Sequence, residues 1–146
     1  MKKLTILIFI ILLLSGCGRS SAKGAAAHLG KPVTVQILAE GYQIITVRDK
    51  ASVRAIMAAL EKVTVSKLTS DEEIDLILVQ GKTLNATEIR FKEAGGNVYK
   101  AMLLEDGSIL LAEGANGEQD QRRDVYLSQP NQAPFQTEIQ KYLTNN

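Results

Sequence analysis

The chain is predicted to fold as one α+β domain, an antiparallel sheet with two helices packed on one face, ordered strand–strand–helix, a run of strands, then helix. Three observations predict it. Val33, Val35 and Ile37 alternate with Thr34 and Gln36, the period of a half-buried strand. Val53, Ile56, Met57, Leu60 and Val63 recur at i, i+3, i+4, the stripe of an amphipathic helix. The links between the later apolar runs are too short for a crossover, so neighbouring strands must pair antiparallel. Two apolar helix stripes need a common apolar surface, which puts both helices on one face of the sheet.

Each element has its own local reason. Pro32 closes a spacer and the first strand begins at Val33; Gly41-Tyr42 turns the chain into a second strand over Gln43–Arg48, rich in β-branched residues. Asp49 is a good cap for the helix that follows. Thr64–Glu73 is a polar connection in which Val63-Thr64-Val65 can add a short extended piece. Ile74–Val79 is apolar throughout except for Asp75 and is expected to be a central strand ended by Gly81-Lys82. Thr87–Lys92 alternates, with Ile89 and Phe91 on one face; Gly95-Gly96-Asn97 turns the chain into a strand over Val98–Leu104. Asp106-Gly107 makes a tight hairpin into Ile109–Ala112. After a polar loop, Glu113–Arg123, comes a short strand over Val125–Leu127. Asn131 is placed to cap a last helix carrying Phe135, Ile139, Tyr142 and Leu143, with Pro134 in its first turn, where no amide hydrogen is required.

The first 32 residues read differently. Met1-Lys2-Lys3 is a basic start, and Leu4–Leu14 is an apolar run of 11 residues broken only by Thr5. A spanning helix needs about 20 such residues, so this run has the length of a signal-peptide core. Leu14-Ser15-Gly16-Cys17 follows: small residues suited to a peptidase cleft, then a thiol. It resembles the lipobox of bacterial lipoproteins, and the resemblance implies diacylglycerol attachment to Cys17 and cleavage before it. Cys17 is the only cysteine, so no disulfide can form within one chain. Acyl chains on Cys17 would anchor the protein on the extracytoplasmic face of the cell membrane. The divisions expected are a signal peptide over 1–16, a lipidated cysteine and flexible tether over 17–32, and one domain over 33–146. Gly18, Gly24 and Gly30 are expected to loosen the tether; a short helix over Ala25–Leu29 is compatible with its composition but offers no core-facing stripe.

The domain pattern also resembles the YhfM-like small lipoproteins of Bacillus-type bacteria. The likeness rests on the strand before Asp49 and its helix, the strand around Phe91, Glu105-Asp106-Gly107-Ser108, and Val125-Tyr126-Leu127-Ser128 leading to Phe135, Ile139 and Leu143. It covers about Gln43–Leu143, departs at the longer Glu113–Arg123 loop, and implies an α+β domain on a lipid anchor without assigning functional residues.

Composition and motif reading exclude more chemistry than they suggest. Without the signal peptide the chain has roughly 130 residues and a formal charge of −1 instead of +1. That is one domain, too small for a two-lobed receptor and too neutral for an electrostatic nucleic-acid binder. His28 is the only histidine and falls in the expected tether. With neither His nor Cys in the expected domain, a Ser-His-Asp triad, thiol catalysis and an ordinary zinc site are excluded there. Gly81-Lys82-Thr83 resembles the end of a phosphate loop, but the pattern needs a glycine where Leu76 stands. Ser20-Ser21-Ala22-Lys23 fits S-x-x-K without its companion motifs, and Asn85-Ala86-Thr87 is a glycosylation sequon by letters alone. Two carboxylate groups remain: Asp71, Glu72, Glu73 and Asp75, then Glu113, Glu118, Asp120 and Asp124 with Asn116 and Gly117. Neither has calcium-loop spacing, and both read as solvated charge. Of the domain aromatics Tyr42, Phe91, Tyr99, Tyr126, Phe135 and Tyr142, most occupy core-facing positions.

No catalytic residue, cofactor or metal is therefore expected. The expected role is a non-enzymatic binding or accessory domain held to the membrane through acylated Cys17, with an envelope protein or wall-associated ligand as partner. The alternatives are a carboxylate-dependent hydrolase of envelope material, and an inhibitor or regulator of a secreted enzyme. Two buried carboxylates facing one cleft would favour the hydrolase; a flat apolar patch or an open strand edge would favour partner binding.

Overall fold

Seven strands form a single antiparallel sheet in the order β2-β1-β4-β5-β6-β7-β3. The computed structural model describes residues 24–38, 43–114 and 123–144. Cys17 and its lipobox, the Gly41-Tyr42 turn, and Asn116, Gly117, Glu118 and Asp120 lie outside the described residues. The strands are β1 (Pro32–Leu38), β2 (Ile44–Val47), β3 (Val65–Lys67), β4 (Thr87–Glu93), β5 (Val98–Leu103), β6 (Ile109–Ala112) and β7 (Val125–Ser128). The helices are α1 (Lys50–Glu61), α2 (Ser70–Ile74) and α3 (Ala133–Leu143), with a 3-10 turn at Ala25–His28 and a π-helical segment, Asp75–Val79, continuing α2. This is the α+β class that the patterning predicts.

The register sorts the side chains. Val35 pairs with Val47 and Phe91, Ile37 with Ile89, Ile89 with Ala101, and Ala101 with Leu111, so these residues share one face. They form a single core cluster with Val53, Ile56 and Leu60 of α1 and with Phe135 and Ile139 of α3. Asp49 caps α1 as predicted: its carboxylate accepts from the Ser52 N–H at 2.9 Å. Arg54, Ala58 and Glu61 are exposed, as the helical period requires. The Asp106-Gly107 hairpin also forms, with Gly107 at φ +76 and the Asp106 carboxylate accepting from the Ser108 N–H at 2.9 Å.

Three expectations are corrected. First, Ile74–Val79 is not a strand. Thr69 and Glu72 form a reciprocal capping box: the Thr69 hydroxyl accepts from the Glu72 N–H, and the Glu72 carboxylate accepts from the Thr69 N–H at 2.7 Å. That box starts a helix, and the apolar run continues it. The helix covers the other face of the sheet, where Leu76 joins Leu104, Leu110 and Val125 in a second cluster.

Second, the domain does not begin at Val33. Ala25 and Leu29 are both 0% exposed and belong to the main core. The Ala25 N–H donates to the Val63 carbonyl at 2.8 Å, and Gly24 bridges Thr64. The two glycines permit close approach, so they do not loosen this stretch. A Cβ on Gly24 would sit 2.8 Å from the Glu61 carbonyl oxygen, and one on Gly30, at φ +64, would overlap the Glu93 carboxylate and the Tyr99 ring. Third, Asn131 does not cap α3. It adopts φ +61, and Gln132 occupies the cap position, its side-chain amide donating to the Gln129 carbonyl at 2.9 Å instead of capping the helix.

Candidate functional site

Six large apolar residues remain exposed among the described residues, and four fall within eleven positions: Ile74 at 53%, Leu78 at 76%, Val79 at 73% and Leu84 at 84%. Their exposure follows from the helix phase. Leu76 is buried and Glu73 and Ile77 are half-buried against the sheet, while Asp71, Ile74, Asp75, Leu78 and Val79 point to solvent. Ser70, Glu72 and Gln80 are exposed as well, and among the exposed positions Asp71, Ile74, Asp75, Leu78 and Val79 fall at i, i+3, i+4, i+7 and i+8. An ordinary surface helix carries polar residues there; this one carries apolar ones in its second half.

Hydrogen bonds hold the segment at both ends. The capping box fixes the start of α2, and bonds to Thr69 hold the Glu72 carboxyl below the usual carboxylate range. The π-helical turn closes with the Gln80 N–H donating to the Asp75 carbonyl at 2.8 Å, and the Gln80 side-chain amide bonds the Asp75 carboxylate. Single π turns inside helices recur at functional sites. Gly81, at φ +61, then turns the chain. No helix follows Lys82, so the phosphate-loop likeness has no structural counterpart. Lys82 Nζ donates to Asp106 at 3.1 Å and Asn85 to Glu105 at 2.7 Å. These two pins hold the 82–85 turn against the β5–β6 hairpin, with Leu84 exposed between them. Asp106, bonded first by Ser108 and then by Lys82, is also held below the usual range.

Two clefts flank the sheet. One, of about 480 Å³, is lined by Lys67, Leu68, Thr69, Ser70, Glu73, Arg123, Asp124 and Val125. Glu73 and Asp124 share it, yet neither is buried, and Asp124 is ion-paired to Lys67 at 2.6 Å. Among the described residues, no two buried carboxylates face this cleft. The second, of about 500 Å³, lies beside the β2 edge between Thr46, Arg48 and Tyr142. Two of its three ionic groups are already engaged, since Asp49 caps α1 and Lys141 bonds Glu138, while the third, Arg48, is exposed.

His28 is not a spacer residue. Its ring lies 4.1 Å from that of Tyr126, and the Tyr126 hydroxyl donates to Glu113 at 3.0 Å. Burial, reinforced by Glu113, raises the Tyr126 pKa, so the phenol stays protonated. The group fastens the 3-10 turn to β7 and contains no base–nucleophile pair. Of the two acidic groups, the first is spread along α2: Glu72 caps, Asp75 bonds Gln80, Asp71 faces solvent and Glu73 faces the cleft. No three His, Cys, Asp or Glu side chains converge as a metal site among the described residues, and no helix among them is long and apolar enough to cross a membrane. No family model, curated protein or solved structure matches the chain.

Proposed function

We propose that this protein is a lipoprotein anchored through acylated Cys17 on the extracytoplasmic face of the cell membrane, and that its domain is a non-enzymatic binding or accessory module of the envelope. The anchor rests on the basic start, the short apolar run and Leu14-Ser15-Gly16-Cys17. The binding role rests on one observation, the exposed apolar stripe of Ile74, Leu78, Val79 and Leu84. Large apolar side chains clustered at the surface mark interaction sites, and these four lie within eleven residues of chain.

Each half has its own test. Metabolic labelling with a fatty acid should mark the wild-type protein and not Cys17→Ala; equal labelling of both would refute the anchor. A photo-crosslinking residue at position 78 should give adducts in intact membranes. The same residue at Ala94, in the β4–β5 turn, should give none; equal yields from both would refute the binding surface.

A further inference from the structure

We propose that the free edge of β2 takes up an extended acidic segment of another protein as an added strand. This surface is separate from the 74–84 stripe, and neither reading depends on the other.

The ladder fixes which backbone groups the edge offers. The Glu93 N–H donates to the Asn97 carbonyl at 2.9 Å, so Glu93 turns its backbone groups toward β5. Backbone groups alternate in direction along a strand, which turns those of Arg90 toward β1 and those of its partner Gln36 toward β4. Val35 and Ile37 then bond β2 through Val47 and Ile45. The N–H and C=O groups of Ile44, Thr46 and Arg48 are left pointing outward. Followed across the sheet, the same alternation places the Val125 carbonyl where the Leu68 N–H meets it, at 2.8 Å.

The sheet has two edges, β2 and β3, and they are guarded unequally. At β3 the N-terminal segment lies alongside: Gly24 bridges Thr64, and the Ala25 N–H donates to the Val63 carbonyl at 2.8 Å. Lys67 stands exposed at the end of that strand. Lysine, proline, bulges and covering segments keep an edge from pairing. Ile44-Ile45-Thr46-Val47 has neither Lys nor Pro, pairs with β1 in unbroken register, and is β-branched throughout. Its four residues limit the added strand to a short segment.

Side chains define that segment. Ile45 and Val47 face the core side of the sheet, and the cleft of about 500 Å³ opens beside them toward Tyr142. Residues of an added strand opposite Ile45 and Val47 enter this cleft, so alternate apolar residues fit. Arg48 and Lys50 are exposed and form no ion pair among the described residues. Asp49 between them is engaged as the α1 cap, and Lys141 is balanced by Glu138. The rim is left with one net positive charge, and a carboxylate opposite Arg48 meets a guanidinium with its donors open. A second copy is the poorer occupant. Pairing Thr46 with Thr46 about a two-fold axis sets Arg48 against Ile44 and brings two edges of the same sign together.

The test selects phage-displayed random octapeptides on the full chain in detergent micelles. Enriched sequences should alternate apolar residues and carry Asp or Glu at one end of the alternation. A synthetic peptide of the winning sequence should slow hydrogen exchange at the Ile44 and Thr46 amides and leave Ile45 and Val47, already bonded to β1, unchanged. Only alternate N–H groups of the peptide face β2. N-methylation of one alternate set should therefore abolish binding, and of the other set should spare it. Arg48→Glu should weaken binding several-fold, and Arg48→Lys should keep most of it. Thr46→Pro should abolish binding; if that variant unfolds, the methylated pair carries the test. No enrichment, enrichment without a carboxylate preference, or equal binding by the two methylated peptides would overturn the proposal. Protection of Ile44 and Thr46 that rises with protein concentration in the absence of peptide would overturn it in favour of a second copy.

Discussion

The segments 24–29 and 74–84 exchange the places that their compositions suggest. The first, Gly24-Ala-Ala-Ala-His-Leu29, is small and weakly patterned, yet Ala25 and Leu29 are 0% exposed in the main core. The second contains Ile74-Asp-Leu-Ile-Leu-Val79, among the most apolar runs after residue 14, yet Leu78 and Leu84 are 76% and 84% exposed. Apolar content measures what burial would be worth; geometry decides whether burial occurs. Gly24 and Gly30 let the first segment lie against the Glu61 carbonyl and the Glu93–Tyr99 corner. In the second, a helix has only one face to give the sheet, and its apolar residues outnumber the positions on that face.

Truncations of the predicted core helix calibrate the contrast. Ile56→Ala and Leu60→Ala remove side chains that are 0% exposed and should each cost about 2–5 kcal/mol, a large share of the ~5–15 kcal/mol typical of a domain. Arg54→Ala and Glu61→Ala should stay within roughly half a kcal/mol. Denaturant melts read both classes, and equal midpoints would mean that α1 does not pack as described.

Next comes the docking of the N-terminal segment. Gly30→Ala forces a non-glycine residue to φ +64 against Glu93 and Tyr99 and should cost about 1–3 kcal/mol. Hydrogen exchange should then rise at Ala25 and Leu29 before it rises in β4 and β5. A variant as stable as wild type would show that the close approach at Gly30 is not required.

On the other side of the comparison, Thr69→Ala removes half of the capping box and should cost about 1 kcal/mol. Its exchange signature should appear first in Asp71–Val79, because that box starts the helix. Uniform loss of protection would contradict a local role.

How much was legible follows the same division. Asp49 and the 3.6-residue stripe identify α1, and Asp106-Gly107 identifies its hairpin, because each signal is local and answers to one geometry. Ile74–Val79 misleads because a short apolar run fits a buried strand and a helix alike. The capping-box spacing Thr69-x-x-Glu72, upstream of that run, was the discriminating signal. The docked segment had only Ala25 and Leu29, four apart, to announce it, and a pattern of two contacts carries little weight when burial depends on a distant groove. The exposed stripe could not be read at all without knowing which helix face meets the sheet. Cys17 lies outside the described residues, and the role proposed for it stands on the sequence: the basic start, the short apolar run and the lipobox.

The smallest effect is the response to acid. Hydrogen bonds hold Asp49, Glu72, Glu93 and Asp106 below their ordinary values of 3.8 for Asp and 4.5 for Glu. A depressed carboxyl contributes stability above its unfolded value and loses it as pH falls through the folded one. Stability should therefore be flat above about pH 5 and decline below 4.5. For Glu93 the bonds come first from the Lys31 N–H and then from Asn97, so the N-terminal segment should loosen over that range. A chain that gained stability on acidification through pH 4 would contradict the sign.

The most direct measurement sets Leu29→Ala against Leu78→Ala in parallel urea melts at dilute protein. One residue lies in a stretch that looks like a tether, the other in a run that looks like a core strand. Leu29→Ala should cost about 2–5 kcal/mol and Leu78→Ala no more than about half a kcal/mol. The reverse order, or two equal losses, would contradict the claim that the docked N-terminal segment is core and the apolar stripe is surface.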